Sequence, residues 1–282
     1  VIRKVRVIYY IGALYSIFLE SQLIKKIFMK PSIIAVFTSK KLGYKGNPAA
    51  VVLTKIPLET QDMQDQAAKL GMPATSFIYL DKEGKSNVRW FAPDAEIELC
   101  GHGAAAAGIF MSQYQKQSEI TLHYKEGEIK LKVSDDNFGM IMETIPVIKP
   151  LSECPLPIKE GLGIPVLAIY ETANKHLILT DSESSVKNMN PDFKRLRDSE
   201  IFGYAITAAA DKVDFVSRTL VPHVGQLEDF ATGSSHAMLV PFWANKLGKS
   251  EMVSDQLSER GGRFISTILG NKVLLSGEFE IH

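Results

Sequence analysis

The 282-residue chain is poor in cysteine, with only Cys100 and Cys154. Two cysteines cannot build a framework of disulfides, and no Cys-x-x-Cys pair or Cys/His cluster indicates a zinc site. Such sparse cysteine is typical of a reducing compartment. We therefore expect a cytoplasmic protein without a metal centre.

The sequence also lacks a surplus of either charge. Lys and Arg together number 32, and so do Asp and Glu, so the formal net charge is zero. Proteins that bind DNA or RNA need a surplus of basic side chains to displace counterions from phosphates. A nucleic-acid partner is therefore not expected. Apolar residues make up 45% of the chain, which excludes broad disorder.

Cofactor signatures and membrane spans are absent as well. Neither GxGxxG nor GxxxxGK[ST] occurs, so no dinucleotide or phosphate loop is expected, and we expect no cofactor. The apolar stretch 7–19 is shorter than the roughly 20 residues that span a bilayer. No small-x-small cleavage site follows it, as a signal peptide would require. We interpret residues 1–28 as an extension ahead of the fold and expect no membrane partner.

From residue 29 onward, short β-rich runs alternate with a few helices, in two halves that span residues 29–148 and 149–282. The segment 104–110 is small and apolar on every face, and the segment 234–247 is mostly apolar, which predicts one buried helix in each half. The segment 146–165 contains five prolines and is interpreted as the linker between the halves.

An internal repeat supports this division. In the first half, the segment Arg89–Pro93 is followed by an acidic residue, a glycine turn at Gly101 and an apolar helix. In the second half, the segment Arg218–Pro222 is followed by the same succession, with its glycine turn at Gly233. Short matches arise by chance, but the shared order of strand, acid, turn and helix favours a duplication.

The two glycine turns predict a chemistry. A turn that enters a helix presents unpaired backbone N–H groups and the positive end of the helix dipole. Two such turns that face each other would hold a small anion, such as a carboxylate, from both sides. Asp229 and His102 would then lie at the rims of one cleft, as acceptor and donor of a proton. The pattern therefore predicts cofactor-free proton transfer, although Asp229 has an alternative interpretation as a helix cap.

Four blocks of sequence, in this order, are similar to the PhzF-like family of phenazine biosynthesis, whose relatives include diaminopimelate epimerase. They are Gly46-Asn47-Pro48-Ala49-Ala50, Trp90-Phe91-Ala92-Pro93, Cys100-Gly101-His102 and Glu228-Asp229-Phe230-Ala231-Thr232-Gly233-Ser234. The resemblance covers nearly the whole chain after residue 29. It implies an α+β, diaminopimelate epimerase-like fold of two similar barrel-like mixed-sheet halves, each wrapped round a central helix. It also implies a homodimer that isomerises a small carboxylated molecule in a cleft between the halves, without metal or cofactor.

The resemblance also assigns site residues. Asp229 and His102 resemble the catalytic pair of the family. The positions expected to bind substrate lie in the glycine turns and in the first block: Asn47, Gly101, Gly103, Thr232, Gly233 and Ser234.

One position departs from the family pattern. Family members carry a Ser-Glu-Thr segment before a strand phenylalanine, and its glutamate is the general base. This chain has Ala74 at that position, in the segment Pro73-Ala74-Thr75. An alanine methyl cannot accept a proton. The alternative function is therefore an impaired or repurposed member that binds a small anionic ligand.

Overall fold

A computed structural model of the protein describes residues 30–173 and 175–282. The expected extension, residues 1–28, lies outside these residues. Within the described part, the chain forms a continuous mixed sheet of 17 strands, accompanied by six α-helices. No helix among the described residues is long and apolar enough to cross a membrane.

The first half follows the sequence pattern closely. Its elements are β1 (Ser32–Thr38), β2 (Asn47–Thr54), α1 (Thr60–Leu70), β3 (Ala74–Leu80), β4 (Ser86–Phe91), β5 (Glu96–Ile97), α2 (Gly101–Gln115), β6 (Glu119–Tyr124), β7 (Gly127–Val133) and β8 (Asn137–Glu143). The two-residue strand β5 is too short for periodicity to reveal.

The second half contains more helical turns than the pattern predicts. Its elements are β9 (Val147–Pro150), α3 (Leu156–Leu162), β10 (Ala168–Thr172), β11 (His176–Leu179), α4 (Glu183–Asn188), α5 (Phe193–Leu196), β12 (Tyr204–Ala209), β13 (Phe215–Leu220), β14 (Glu228–Asp229), α6 (Gly233–Leu247), β15 (Glu251–Gln256), β16 (Gly262–Leu269) and β17 (Lys272–Ile281).

The sequence suggested that the proline-rich segment 146–165 is a linker, and this prediction is wrong. Its strand β9 pairs with β10, and its helix α3 buries Ile158 and Leu162 completely. The prolines lie at the borders of these elements: Pro150 ends β9, and Pro155 precedes α3. Proline is tolerated at the start of a helix and at strand ends, where its missing N–H costs nothing. These prolines therefore delimit elements of the second half.

The strand pairing closes the first half into a barrel. Its strands follow one another in the order β1, β2, β3, β4, β6, β7 and β8, and β17 joins β8 back to β1. The last strand of the chain also pairs with β16 of the second half. One strand therefore belongs to the sheets of both halves.

The two predicted apolar helices fill the two halves. Helix α2 is buried from Gly101 to Ile109 and packs against β1, β2, β3, β6 and β7. Its small side chains allow the barrel wall to approach closely: a Cβ on Gly108 would lie 2.6 Å from Leu131 Cδ2. Helix α6 is buried on most faces and packs against β12, β15, β16 and β17. Both helices begin with the glycine turns singled out in the sequence.

The internal repeat is visible in the strand register. In each half, an arginine forms a bidentate ion pair with a glutamate on a neighbouring two-residue strand: Arg89 with Glu96, and Arg218 with Glu228. Each pair precedes a helix that starts with a glycine, at Gly101 or Gly233. In both halves a strand also pairs in parallel with the next strand along the chain, β2 with β3 and β11 with β12.

Candidate active site

The first residues of the two buried helices touch each other. A Cβ built on Gly101 would lie 3.3 Å from Gly233 Cα and 3.7 Å from the backbone nitrogen of Ser234. A side chain at Gly101 would therefore make an unusually tight contact with the backbone of Gly233, and glycine permits this close approach. The structure thus brings together the two turns whose convergence the sequence predicted.

Neither helix start is capped by the side chain of its N-cap residue. The N-cap residues are Cys100 for α2 and Thr232 for α6, and neither makes a side-chain cap hydrogen bond among the described residues. The first amides of an α-helix have no partner inside the helix, and they carry the positive end of its dipole. Two adjacent uncapped starts therefore form a locus with affinity for an anion.

Asp229 is held beside this locus by Asn47. The amide nitrogen of Asn47 donates to Asp229 Oδ1 at 2.6 Å and to the carbonyl of Ala231 at 3.0 Å. Asn47 is fully buried, so its orientation is fixed by these two acceptors. The capping interpretation of Asp229 is wrong, because Thr232 is the N-cap of α6 and Asp229 lies three residues earlier, in β14. Its carboxylate is oriented by the opposite half of the molecule.

The turn between Asp229 and α6 is fixed by a buried glutamine. Gln256 Nε2 donates to the carbonyl of Asp229 and to Thr232 Oγ1, and its Oε1 accepts from the backbone N–H of Thr232 at 2.8 Å. Thr232 is thus engaged at its hydroxyl and its amide. Its expected contact with substrate stays a prediction, and its observed role is to position the turn.

His102 lies in the first turn of α2, with 7% of its surface exposed. Its Nδ1 is 3.6 Å from Cys100 Sγ. Burial lowers the pKa of His102, but the charge and hydrogen bond of Cys100 and the charge of Asp229 raise it, and the net result is a pKa of about 9. His102 therefore carries a proton near neutral pH, within reach of the charge of Asp229. The roles of His102 as donor and Asp229 as acceptor stay a prediction.

The other expected binding residues surround the two helix starts. The carbonyl of Gly103 accepts from Ser76 Oγ at 2.9 Å, and a Cβ at this position would lie 2.8 Å from Trp90 Cδ1. Gly103 is therefore required for packing, and its amide remains in the first turn of α2. Ser234 occupies the corresponding turn of α6, where its hydroxyl accepts from Lys175 Nζ at 3.1 Å.

Sequence reasoning missed Lys175. It lies just before β11, and only 5% of its surface is exposed. Burial lowers its pKa to about 8, although the charges of Asp229 and Cys100 act in the opposite direction. Nothing in the local sequence marks this lysine, because its partner Ser234 is 59 positions away.

The position of the family's glutamate is occupied by Ala74, which carries no acid. Ala74 is fully buried at the start of β3, where it pairs with Ala49 of β2. It belongs to the same apolar cluster as Cys100. Across residues 30–173 and 175–282, no three His, Cys, Asp or Glu side chains lie close enough together to hold a metal ion.

Comparisons with known proteins identify the family of the chain. The family model described as phenazine biosynthesis-like protein matches residues 34–268. A curated relative, an uncharacterized isomerase of Pseudomonas aeruginosa, is 32% identical over 243 residues, which cover 85% of this chain and 92% of the relative.

Solved structures show the same architecture. The crystal structure of a PhzF-family protein from Enterococcus faecalis superposes with a TM-score of 0.80 at 26% identity, covering 89% of this chain and 97% of that one. A hydroxyproline epimerase from Agrobacterium vitis superposes with a TM-score of 0.60 at 10% identity, covering 92% of each chain, a likeness of fold alone. The chain therefore belongs to the phenazine biosynthesis-like (PhzF) family of isomerases and has the α+β, epimerase-like fold of two similar mixed-sheet halves.

Proposed function

We propose that the protein is an isomerase that moves a proton on a small carboxylated substrate without a cofactor. The observation that carries this proposal is the contact between the two uncapped helix starts at Gly101 and Gly233, with Asp229 and His102 beside them. The helix starts stabilise negative charge on the substrate, which includes the charge that develops when a neighbouring carbon loses its proton.

Asp229 and His102 have complementary roles in this mechanism. Asp229 accepts a proton from the substrate carbon, and its Oδ1 is already oriented by the amide of Asn47. His102 carries a proton near neutral pH, because its pKa is raised to about 9, so it can donate to another atom of the same substrate. Together they transfer a proton between two positions, which is the chemistry of an isomerase.

A binding protein without catalysis is the alternative suggested by Ala74. The curated relatives named as isomerases favour the enzyme. Both residues of the expected pair are present in this chain, and the hydrogen bond from Asn47 that orients the Asp229 carboxylate supports a role for it as base in place of the acid missing at position 74. We therefore assign the acceptor role to Asp229.

Deuterium uptake from D2O, followed by proton NMR, tests this function. Small carboxylic acids with an acidic C–H next to the carboxylate or a double bond serve as candidate substrates. We expect the wild type to exchange that hydrogen, and Asp229→Asn to exchange it about a hundredfold or more slowly, because general base catalysis is lost. The exposed Asp198→Asn is the matched control and should exchange like the wild type. Equal rates in the wild type and in Asp229→Asn would remove Asp229 from the mechanism.

A further inference from the structure

The turn 258–261, between β15 and β16, is bound to the first half of the molecule just ahead of Asn47. The backbone N–H of Lys45 donates to the carbonyl of Arg260 at 2.8 Å. In return, the Arg260 guanidinium donates from Nε to the carbonyl of Gly46 at 2.7 Å and from Nη2 to the carbonyl of Lys45 at 3.0 Å. One side chain thus binds the last two carbonyls before Asn47.

Two glycines in the left-handed conformation bring these segments close together. Gly46 has a φ of +58°, and a Cβ on it would lie 2.2 Å from the carbonyl oxygen of Val36. Gly261 has a φ of +67°, and a Cβ on it would lie 2.3 Å from Tyr44 Cδ1. The N–H of Gly46 donates to the carbonyl of Gly261 at 3.0 Å. Because a side chain at either position would collide with its neighbour, the contact between the two turns depends on glycine at both.

Arg260 also contacts the second half, directly after Asp229. Its Cζ lies 5.6 Å from the ring centre of Phe230, which is a cation–π contact. The carbonyl of Phe230 accepts from Ser258 Oγ at 2.6 Å, and the same hydroxyl accepts from the N–H of Gly261 at 3.2 Å. The turn therefore joins the backbone after Asp229 to the backbone that carries its hydrogen-bond donor in the first half.

The 2.6 Å hydrogen bond from the Asn47 amide to Asp229 Oδ1 crosses between the halves, so its length depends on how closely the two backbones approach. Arg260 contacts the residue before Asn47 and the residue after Asp229. We propose that Arg260 is a positioning residue, which keeps the amide of Asn47 against the carboxylate of Asp229. This inference rests on the proposed function, in which Asp229 accepts the proton of the substrate, and adds a residue that acts on this base through Asn47.

The NMR signals of the Asn47 side-chain amide test this positioning in the free protein. They are assigned as the proton and nitrogen signals that Asn47→Ala lacks. In Arg260→Met, the amide protons should shift upfield, because their hydrogen bond to Asp229 lengthens. Arg195→Met is the matched control, since it removes a likewise half-buried arginine that pairs with Glu160, and it should leave the Asn47 signals in place. Asn47 signals that do not move in Arg260→Met would overturn the proposal.

Deuterium uptake from D2O measures the kinetic consequence. Vinylacetate and mandelate serve as probes, because each carries a C–H between a carboxylate and a double bond or an aromatic ring. Arg260→Met should lower kcat about tenfold to a hundredfold, as expected for a displaced catalytic group. The KM should stay nearly unchanged, since no contact with the substrate is removed.

A double-mutant cycle shows whether Arg260 acts through Asn47. Added to Asn47→Ala, the change Arg260→Met should lower kcat by less than about twofold more, because both changes act on the same hydrogen bond. Two losses that multiply in full would show that Arg260 acts by another route and would overturn the proposal.

If Arg260→Met does not fold, as judged by circular dichroism, Arg260→Lys decides. A lysine keeps a cation near Phe230 but lacks the planar fork that binds two carbonyls at once. The Asn47 signals should still shift and kcat should still fall. Wild-type values of both in Arg260→Lys would overturn the proposal.

The two measurements separate this inference from the proposed function. A shift of the Asn47 signals in Arg260→Met, in a protein whose wild type exchanges neither probe, would retain the contact that Arg260 maintains and count against the isomerase. Exchange by the wild type that Arg260→Met leaves unchanged would retain the isomerase and refute the positioning role of Arg260.

Discussion

At the scale of single residues, two histidines in the first turns of the two buried helices differ in their protonation. His102 is kept protonated by its neighbours, whereas His236, fully buried, is kept neutral. Burial lowers the pKa of His236 to about 4, although its hydrogen bond with the carbonyl of Thr232 acts in the opposite direction. The His236 ring stacks on Phe264 with 3.4 Å between ring centres. His236 is therefore part of the core of the second half.

The neutral state of His236 predicts a loss of stability in acid. Between about pH 6.5 and 4, the unfolded chain binds a proton at this position and the folded chain does not, so the free energy of unfolding falls as the pH falls. The full shift corresponds to about 3 kcal/mol. Urea unfolding of the wild type and of His236→Gln across this range measures the effect. The variant should be less stable at neutral pH but should depend less on pH, and parallel pH profiles would contradict the prediction.

Lys175 and Ala74 show where residue-level prediction stops. The glycine turns, Asp229 and His102 lie in recognisable local motifs, and the structure brings them together. Lys175 has no motif, because a lysine before a strand usually faces water and its burial arises from contacts with Gly203 and Ser234 far along the chain. Ala74 is unusual only relative to the family resemblance, which implies an acid at that position.

At the scale of elements, the two halves contain equivalent ion pairs in different surroundings. Arg89 and Glu96 have side chains 39% and 40% exposed, whereas Arg218 and Glu228 are 12% and 17% exposed. Arg218 also donates to the carbonyl of Met189 at 2.6 Å. Solvent screens the attraction between Arg89 and Glu96, and it screens the attraction between Arg218 and Glu228 much less. The same pairing should therefore differ in strength between the halves.

Double-mutant cycles with Arg→Met and Glu→Gln changes measure this difference. We expect a coupling of about 0.2–1 kcal/mol for Arg89 and Glu96, the usual value for exposed pairs. For Arg218 and Glu228 we expect a larger coupling of about 1–3 kcal/mol, in the upper part of the range of about 0.5–3 kcal/mol for residues in direct contact within one network. Each cycle is the control for the other, because geometry and chemistry are matched. Equal couplings in the two halves would show that burial does not decide the strength of the pair.

Element boundaries were predictable where one physical signal dominates. Strands with regular alternation, such as β6 and β17, agree with the sequence pattern, and α6 begins one residue before the apolar segment 234–247. Helix α2 spans Gly101–Gln115 and extends beyond the apolar segment 104–110 at both ends. The elements around the prolines of 146–165 do not, because there proline marks the ends of β9 and α3 and imitates a linker. The two-residue strands β5 and β14 exist only through their tertiary pairing with β4 and β13. No local pattern encodes them.

At the scale of the whole molecule, β17 connects the two halves. It lies between β1 and β8 of the first barrel and also pairs with β16. Neither half can lose this strand without exposing unpaired edges. The halves should therefore unfold together in one transition, although each has its own central helix.

The two tryptophans provide one reporter in each half. Trp90 lies in β4 and Trp243 in α6, and both are buried. In Trp90→Phe and in Trp243→Phe, the fluorescence midpoint of thermal unfolding should coincide with the midpoint from circular dichroism, as two-state behaviour requires. Two separate midpoints within one variant would show that the halves unfold independently.

A change in the shared strand should shift both reporters equally. Leu275 of β17 is fully buried, so Leu275→Ala should cost about 2–5 kcal/mol. Ile281→Ala is the control on the same strand, because its side chain is 43% exposed. A shift confined to one of the two tryptophan signals would contradict the role of β17 as a common element.

The late position of β17 in the chain also has a consequence for biosynthesis. The strands β1 and β8 emerge from the ribosome long before residues 272–281 are translated. The nascent first barrel therefore has a gap between β1 and β8, and both strands have an exposed edge there. Until the final strand arrives, these edges can pair with other chains, which makes the interval a window for aggregation. Chaperone demand during translation should therefore persist until residues 272–281 leave the exit tunnel.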